Sequence, residues 1–282
     1  MVRVGIFYHE SFSRRSYLTV GRRLADFPAA LDDLLREDGF RLYRCPEVAD
    51  ALILLVHTPE MIPGVEADPL CSTARASVGG VVEAAEKICL GEVDRAFAFI
   101  GAGGHHAGRS FFGGYCCFND VAIAIAHLRK AHGINRFAIL DTDAHHGDGT
   151  RDIFREDADV LHVCICGMNY VSPDGTKVDV PAPWGGRDPD EAYLKTAESA
   201  FASRVRAFRP DLTIWYFGFD GHQGDYGDMG LSLRVFVGLA DFMVGEAREA
   251  SGGKLLTVLG GGSRTDLATL IIPKVIARLG SG

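Results

Sequence analysis

Short apolar runs alternate along the whole chain with longer stretches in which apolar positions recur every three or four residues. The runs Val2–Tyr8, Ala96–Ile100, Phe137–Asp141, Val160–Ile165, Leu212–Phe217 and Leu255–Leu259 read as strands, too continuously apolar to leave one face in water. Between them the helical spacing predicts helices over Leu18–Arg36, Pro46–His57, Thr73–Leu90, Asp120–His132, Pro189–Phe208, Leu233–Ala250 and Asp266–Leu279. Asp188-Pro189 is a start signal, a capping side chain followed by a residue whose missing N–H costs nothing in the first turn. Strand and helix in alternation specify an α/β fold, a mainly parallel sheet flanked by helices on both faces. No internal repeat, low-complexity tract or linker interrupts the pattern, so one domain is expected over residues 1–282.

The glycine-rich polar stretches Gly101–His106, Asp143–Gly149, Gly218–His222 and Gly260–Gly262 each follow the C-terminal end of a strand. In open α/β sheets ligands bind beyond those ends, so four distant loops are expected to converge on one site. A phosphate-binding reading of the glycines fails, because neither Gly-x-Gly-x-x-Gly nor Gly-x4-Gly-Lys-Ser/Thr occurs at these turns.

Composition narrows the function. A formal charge of −8 argues against nucleic acid as a partner, whose affinity would come from basic patches, and is compatible with a cationic substrate. No apolar run reaches the roughly 18–20 residues of a membrane span, and the N-terminus reads as a first strand rather than a signal peptide, so a cytoplasmic protein is expected. Seven cysteines, an odd number scattered through core segments, suit reduced buried thiols better than a disulfide framework. Cys164-Ile-Cys166 lacks the two-residue spacer of a zinc ribbon or redox motif and reads as structural.

The stretch with most chemistry is Ile139-Leu-Asp-Thr-Asp-Ala-His-His-Gly-Asp-Gly-Thr150. It starts as a buried strand and turns abruptly into acids and imidazoles. Alternation would send Asp141, Asp143 and His145 out of the strand end on the same side. Two neighbouring buried carboxylates are costly unless a cation compensates them, and these are metal-ligand side chains.

Together with this stretch, Gly104-His-His-Ala107, Gly113-Gly-Tyr-Cys-Cys-Phe-Asn-Asp120, Gly218-Phe-Asp220 and Leu259-Gly-Gly-Gly262 resemble, in order and spacing, the successive signatures of the zinc-dependent histone deacetylase family. Val48–Glu60 is similar, more weakly, to an early helix of that family. The resemblance implies the arginase/deacetylase fold, one domain around an eight-stranded, mainly parallel sheet, two strands more than the periodicity marks. It implies metal ligation by Asp143, His145 and Asp220 with an open position for water and substrate, as a catalytic Zn2+ site requires; two carboxylates and an imidazole would also accept Fe2+. It implies His106 as general base and acid and His105 as a group orienting water, with Asp141 behind His105 and Asp148 behind His106 to fix their tautomers. Gly114 and Tyr115 would wall the channel that admits an acyl-lysine side chain. Asp141 also matches a buried monovalent-cation site, but Cys164 stands where the family usually has serine, which argues against K+.

The implied reaction is metal-assisted hydrolysis of an amide, with an acyl-lysine peptide or a small N-acyl amine as substrate. This chain departs from the family after the glycine run. In place of the usual tyrosine that donates to the oxyanion it reads Gly262-Ser-Arg-Thr-Asp266, so Arg264 or Thr265 takes the aligned position. Arg264 would stabilise the oxyanion, bind a substrate carboxylate or lie on the surface. Tyr170 or Tyr226 would enter the site from loops that also differ from the pattern. Three outcomes stay open: an acyl-lysine deacylase, a hydrolase of acetylpolyamines or another small amide, and an acyl-lysine-binding protein with little turnover. Histones are not implied as the substrate.

Overall fold

The computed structural model describes residues 1–15 and 22–282. In chain order its elements are β1 (Val4–Tyr8), α1 (Ser11–Arg14), β2 (Phe40–Arg44), α2 (Asp50–Ile53), α3 (Met61–Ala67), α4 (Ala74–Cys89), β3 (Arg95–Ala98), α5 (Asp120–His132), β4 (Phe137–Asp141), α6 (Asp148–Phe154), β5 (Val160–Cys166), β6 (Tyr170–Val171), β7 (Lys177–Pro181), α7 (Pro189–Phe208), β8 (Leu212–Phe217), α8 (Leu233–Ser251), β9 (Leu255–Leu259) and α9 (Thr265–Leu279). All strands join one sheet in the order β2-β1-β3-β9-β8-β4-β5-β7-β6. Every pairing is parallel except that of β6 with β7.

Every residue of β1, β3, β4, β5, β8 and β9 is buried, as expected of strands covered on both faces. Helix α4 packs on α5 and on β1, β3 and β9, while α7, α8 and α9 pack in series against the sheet. Several helix ends follow local chemistry. Asn119 accepts from Ala122 N at the start of α5, and Gly133 closes that helix in the left-handed region. Asp188 accepts from Glu191 N ahead of Pro189, as the sequence signals.

The structure corrects four expectations. Among the described residues the sheet has nine strands rather than eight; eight run parallel and the two-residue β6 is added antiparallel at one edge. The edge strand β2 escapes a periodicity reading because Phe-Arg-Leu-Tyr-Arg is only half-buried. The helix expected over Leu18–Arg36 is replaced, over residues 22–36, by turns and two short 3-10 helices; residues 18–21 lie outside the described residues. Pro28, which has no N–H to continue a ladder, sits in the middle of that stretch. The helix expected over Pro46–His57 contracts to the single turn α2. Finally, Cys71 and Cys117 are disulfide-bonded, with Cα atoms 5.8 Å apart, so two of the seven cysteines are not free thiols.

Candidate active site

The central parallel strands β4, β8 and β9 deliver their following loops to the same edge of the sheet. The β4 loop carries Asp143 and His145, the β8 loop Asp220, and the β9 loop the three glycines. A ligand atom from each of Asp143, His145 and Asp220 lies within 4.8 Å of the other two. His145 Nδ1 stands 3.1 Å from Asp143 Oδ1 and 3.0 Å from Asp220 Oδ2. Both carboxylates are buried, whereas the imidazole is partly exposed.

The adjoining Asp143 and Asp220 carboxylates raise His145 to about 10. Burial and the neighbouring Asp143 charge push Asp220 up to about 7. Burial opposes ionisation of Asp143 too, but His105 and His145 outweigh it and hold the carboxyl below its ordinary range. Asp220 Oδ2 is buried and, among the described residues, makes no hydrogen bond, although His145 Nδ1 is 3.0 Å away: the separation is right and the angle is not. A buried carboxylate oxygen without a donor, beside a second carboxylate and an imidazole, fits a divalent cation.

The other oxygens are held by backbone. Asp143 Oδ1 accepts from His145 N at 3.0 Å, Asp143 Oδ2 from Gly261 N at 2.6 Å, and Asp220 Oδ1 from Ala144 N at 3.2 Å. A Cβ on Gly261 would lie 2.6 Å from Asp143 Oδ2, which explains glycine at that position.

Beside this cluster lie the tandem histidines. His105 Nδ1 is 2.8 Å from Asp141 Oδ2, with both groups buried, and His106 Nδ1 is 2.6 Å from Asp148 Oδ1 at the first residue of α6. Each Nδ1 therefore faces a carboxylate and leaves Nε2 as the outward nitrogen. Burial lowers the basicity of His105, but Asp141 and Asp143 dominate and raise it to about 9. The His105 ring stacks on buried Tyr216 and lies 4.3 Å from the His106 ring. Asp141, grouped by strand alternation with Asp143 and His145, thus serves His105 and approaches His162 rather than joining the metal-type cluster.

These groups border a cavity of about 250 Å³. Tyr115 and Gly114 line it, both with positive φ (67° and 53°). A Cβ on Gly114 would meet the His106 ring at 2.5 Å, so the chain can pass the imidazole only as glycine.

Arg264 is not among the lining residues. Its guanidinium pairs with Asp266 at 2.6 Å and reaches Gly224 O, leaving the expected site-facing role without support. Thr265 donates to Arg22 O. Tyr170 sits on the edge strand β6 with its ring near Arg151. Tyr226 lines the cavity. Its ring stacks on His145 with centroids 5.4 Å apart, and its hydroxyl accepts from Gly262 N at 3.3 Å. Asp225 fixes this arrangement by accepting from Tyr226 N, Ser263 N, Ser263 Oγ and Arg264 N. Arg23, which periodicity placed inside a helix, also lines the cavity; it is buried and donates to Gly260 O, Gly262 O and Ile100 O. No local motif marks it, because its partners are backbone carbonyls of remote loops.

Residues 67–279 match the family model for the histone deacetylase domain, most of the chain. The chain belongs to the histone deacetylase family. A "Probable deacetylase" of Archaeoglobus fulgidus is 30% identical, over 92% of this chain and 80% of its own length. The "Histone deacetylase-like amidohydrolase" of Pseudomonas aeruginosa is 31% identical over 67% of this chain, and "Histone deacetylase 9" of Homo sapiens 29% over 71%. This chain spans 53% and 22% of the lengths of those two relatives, respectively. Family membership makes it a hydrolase of the deacetylase and amidohydrolase type. Among the described residues, no helix is long and apolar enough to cross a membrane.

Proposed function

We propose that the chain is a zinc-dependent deacylase that removes an acetyl or other acyl group from a lysine side chain or a similar amine. The observation that carries this reading is the convergence of Asp143, His145 and Asp220 beside two carboxylate-backed imidazoles on one cavity. Asp143, His145 and Asp220 would hold the ion, which when bound supplies a Lewis acid for the acyl carbonyl and acidifies water. Fe2+ would suit the same donors, and K+ is not part of the reading.

The chain's own groups do the rest. His106, its Nδ1 held by Asp148, takes a proton from the attacking water at Nε2 and returns it to the departing amine. His105, held by Asp141, orients the water and carries positive charge into a buried site. Tyr226 takes the place of the family's tyrosine: its hydroxyl oxygen is occupied by Gly262 N, which leaves its proton to donate to the developing oxyanion. Tyr115 and Gly114 flank the entering acyl-amine chain. The pairing of Arg264 with Asp266 favours acyl-lysine over a substrate selected by an anionic group. A cytoplasmic setting is part of the proposal; five cysteines are unpaired, while the Cys71–Cys117 bond is of a kind uncommon in a reducing compartment.

Hydrolysis of acetyl-lysine peptide, acetylpolyamine and trifluoroacetyl-lysine in the presence of zinc tests the reading. Turnover of acetyl-lysine peptide, with both bound catalytic metal and activity lost in Asp143→Ala, is the expected result. An Asp143→Ala variant that stays fully active defeats it, and binding of all three without turnover makes the chain an acyl-lysine-binding protein.

A further inference from the structure

A second group of ligand-type side chains lies beside the first but shares none of its members. Cys164 and Cys166 are two apart on β5, so both leave the strand on the same face. Asp179 on β7 is the register partner of Cys164 and therefore points the same way. His146 comes from the loop after β4, immediately after His145. One ligand atom from each of these four lies within 4.8 Å of the others. We propose that His146, Cys164, Cys166 and Asp179 form a second metal site, four-coordinate and suited to zinc or another thiolate-preferring divalent cation.

The spacing carries the proposal. His146 Nδ1 is 3.5 Å from Cys166 Sγ and 3.5 Å from Asp179 Oδ1. The second separation is long for a hydrogen bond between an imidazole and a carboxylate. It is close to an edge of a tetrahedron whose bonds are roughly 2.0–2.3 Å, about 3.3–3.8 Å. Two sulfurs, an imidazole and one carboxylate make a closed set with no position left for substrate, the mark of a structural rather than a catalytic site. Both thiols are unpaired and buried, Asp179 is buried, and the partly exposed His146 leaves a route of entry.

Charge agrees with geometry. Arg151 grips Asp179 through two nitrogens, at 2.7 and 3.2 Å, orienting its carboxylate. Two thiolates, one carboxylate and one guanidinium leave a double negative charge, which a divalent ion cancels. Both thiols give up their protons to solvent as the ion binds. Bound there, the ion would tie β5 and β7 to the loop that presents His145. Soft ligands replace the serine-type oxygen expected at Cys164, so the cation differs from a monovalent one in kind.

Cobalt(II) distinguishes this site from the Asp143, His145 and Asp220 cluster, which contains no sulfur. The chelator-stripped full chain should take up two cobalt ions, one of them giving a near-ultraviolet sulfur-to-cobalt charge-transfer band. Asp143→Ala should keep that band, and Cys164→Ser/Cys166→Ser should lose it and bind one ion fewer. Asp179→Asn, which retains both thiols and the strand pairing, should weaken cobalt binding at the sulfur site about tenfold or more, as loss of a ligand does. Folding of each variant is checked by circular dichroism, and Asp179→Asn serves if the double cysteine variant does not fold. A folded wild-type chain that binds cobalt without the band, or a band undiminished in both variants, overturns the proposal.

Discussion

In the proposed reaction single residues decide how far turnover can go, and Tyr226 matters most. It reaches the cavity because Asp225 clamps the loop to Ser263 and because its hydroxyl meets Gly262 N, 36 residues away. Replacing Tyr226 by Phe should lower kcat about 100- to 1000-fold, the usual cost of one oxyanion donor, with zinc content unchanged. Stopped-assay kinetics at saturating substrate with metal analysis checks this; an unaltered kcat removes Tyr226 from the mechanism. Arg264→Ala should change kcat/KM by no more than about twofold, as for a surface residue, because its guanidinium is already committed to Asp266. The ligand-type residues were legible because three of the key groups sit within five positions of one strand end, Asp141 to His145. Tyr226 was named only as one of two candidates with Tyr170, and Arg23 not at all, since each is placed by hydrogen bonds to backbone that no side-chain pattern records.

At the scale of elements, the start of α5 joins fold to pH. Asp120 is fully buried; one of its carboxylate oxygens accepts from Val121 N and, among the described residues, the other has no partner. Burial pushes its carboxyl up to about 7 from an ordinary 3.8. A pKa raised by folding means that the native state binds the extra proton. Its contribution is therefore fully present below about 3.8 and lost as pH rises through about 7. Across that window the wild type should lose a few kcal/mol relative to Asp120→Asn, measured as unfolding free energy in urea at successive pH values. Parallel pH profiles would refute the assignment. Elements buried on every side, such as β4, β8 and β9, were read to the residue, because burial demands an unbroken apolar run. Those at the edges, β2 and β6, and β7 next to one of them, carry charged or exposed residues, and nothing local separates them from loops.

At the scale of the whole molecule, the Cys71–Cys117 bond ties the segment before α4 to the glycine-rich loop that leads into α5, closing a sequence separation of 46. Constraining the unfolded chain over such a loop is worth roughly 2–4 kcal/mol. Dithiothreitol, or the Cys71→Ser/Cys117→Ser pair, should lower the urea midpoint accordingly, and a midpoint unmoved by reduction would show that the bond contributes nothing. By itself the sequence determined the α/β class, the central strands and the acid–imidazole stretch after β4, since each is written in neighbouring residues: periodicity, propensity and local spacing are short-range properties. Only tertiary structure decided that Tyr226 and not Arg264 faces the cavity, that Arg23 lines it, and that Cys164 and Cys166 meet His146 and Asp179. Those meetings depend on which strands lie side by side, and strand order is set by how the entire chain buries its apolar surface, a quantity no local window contains.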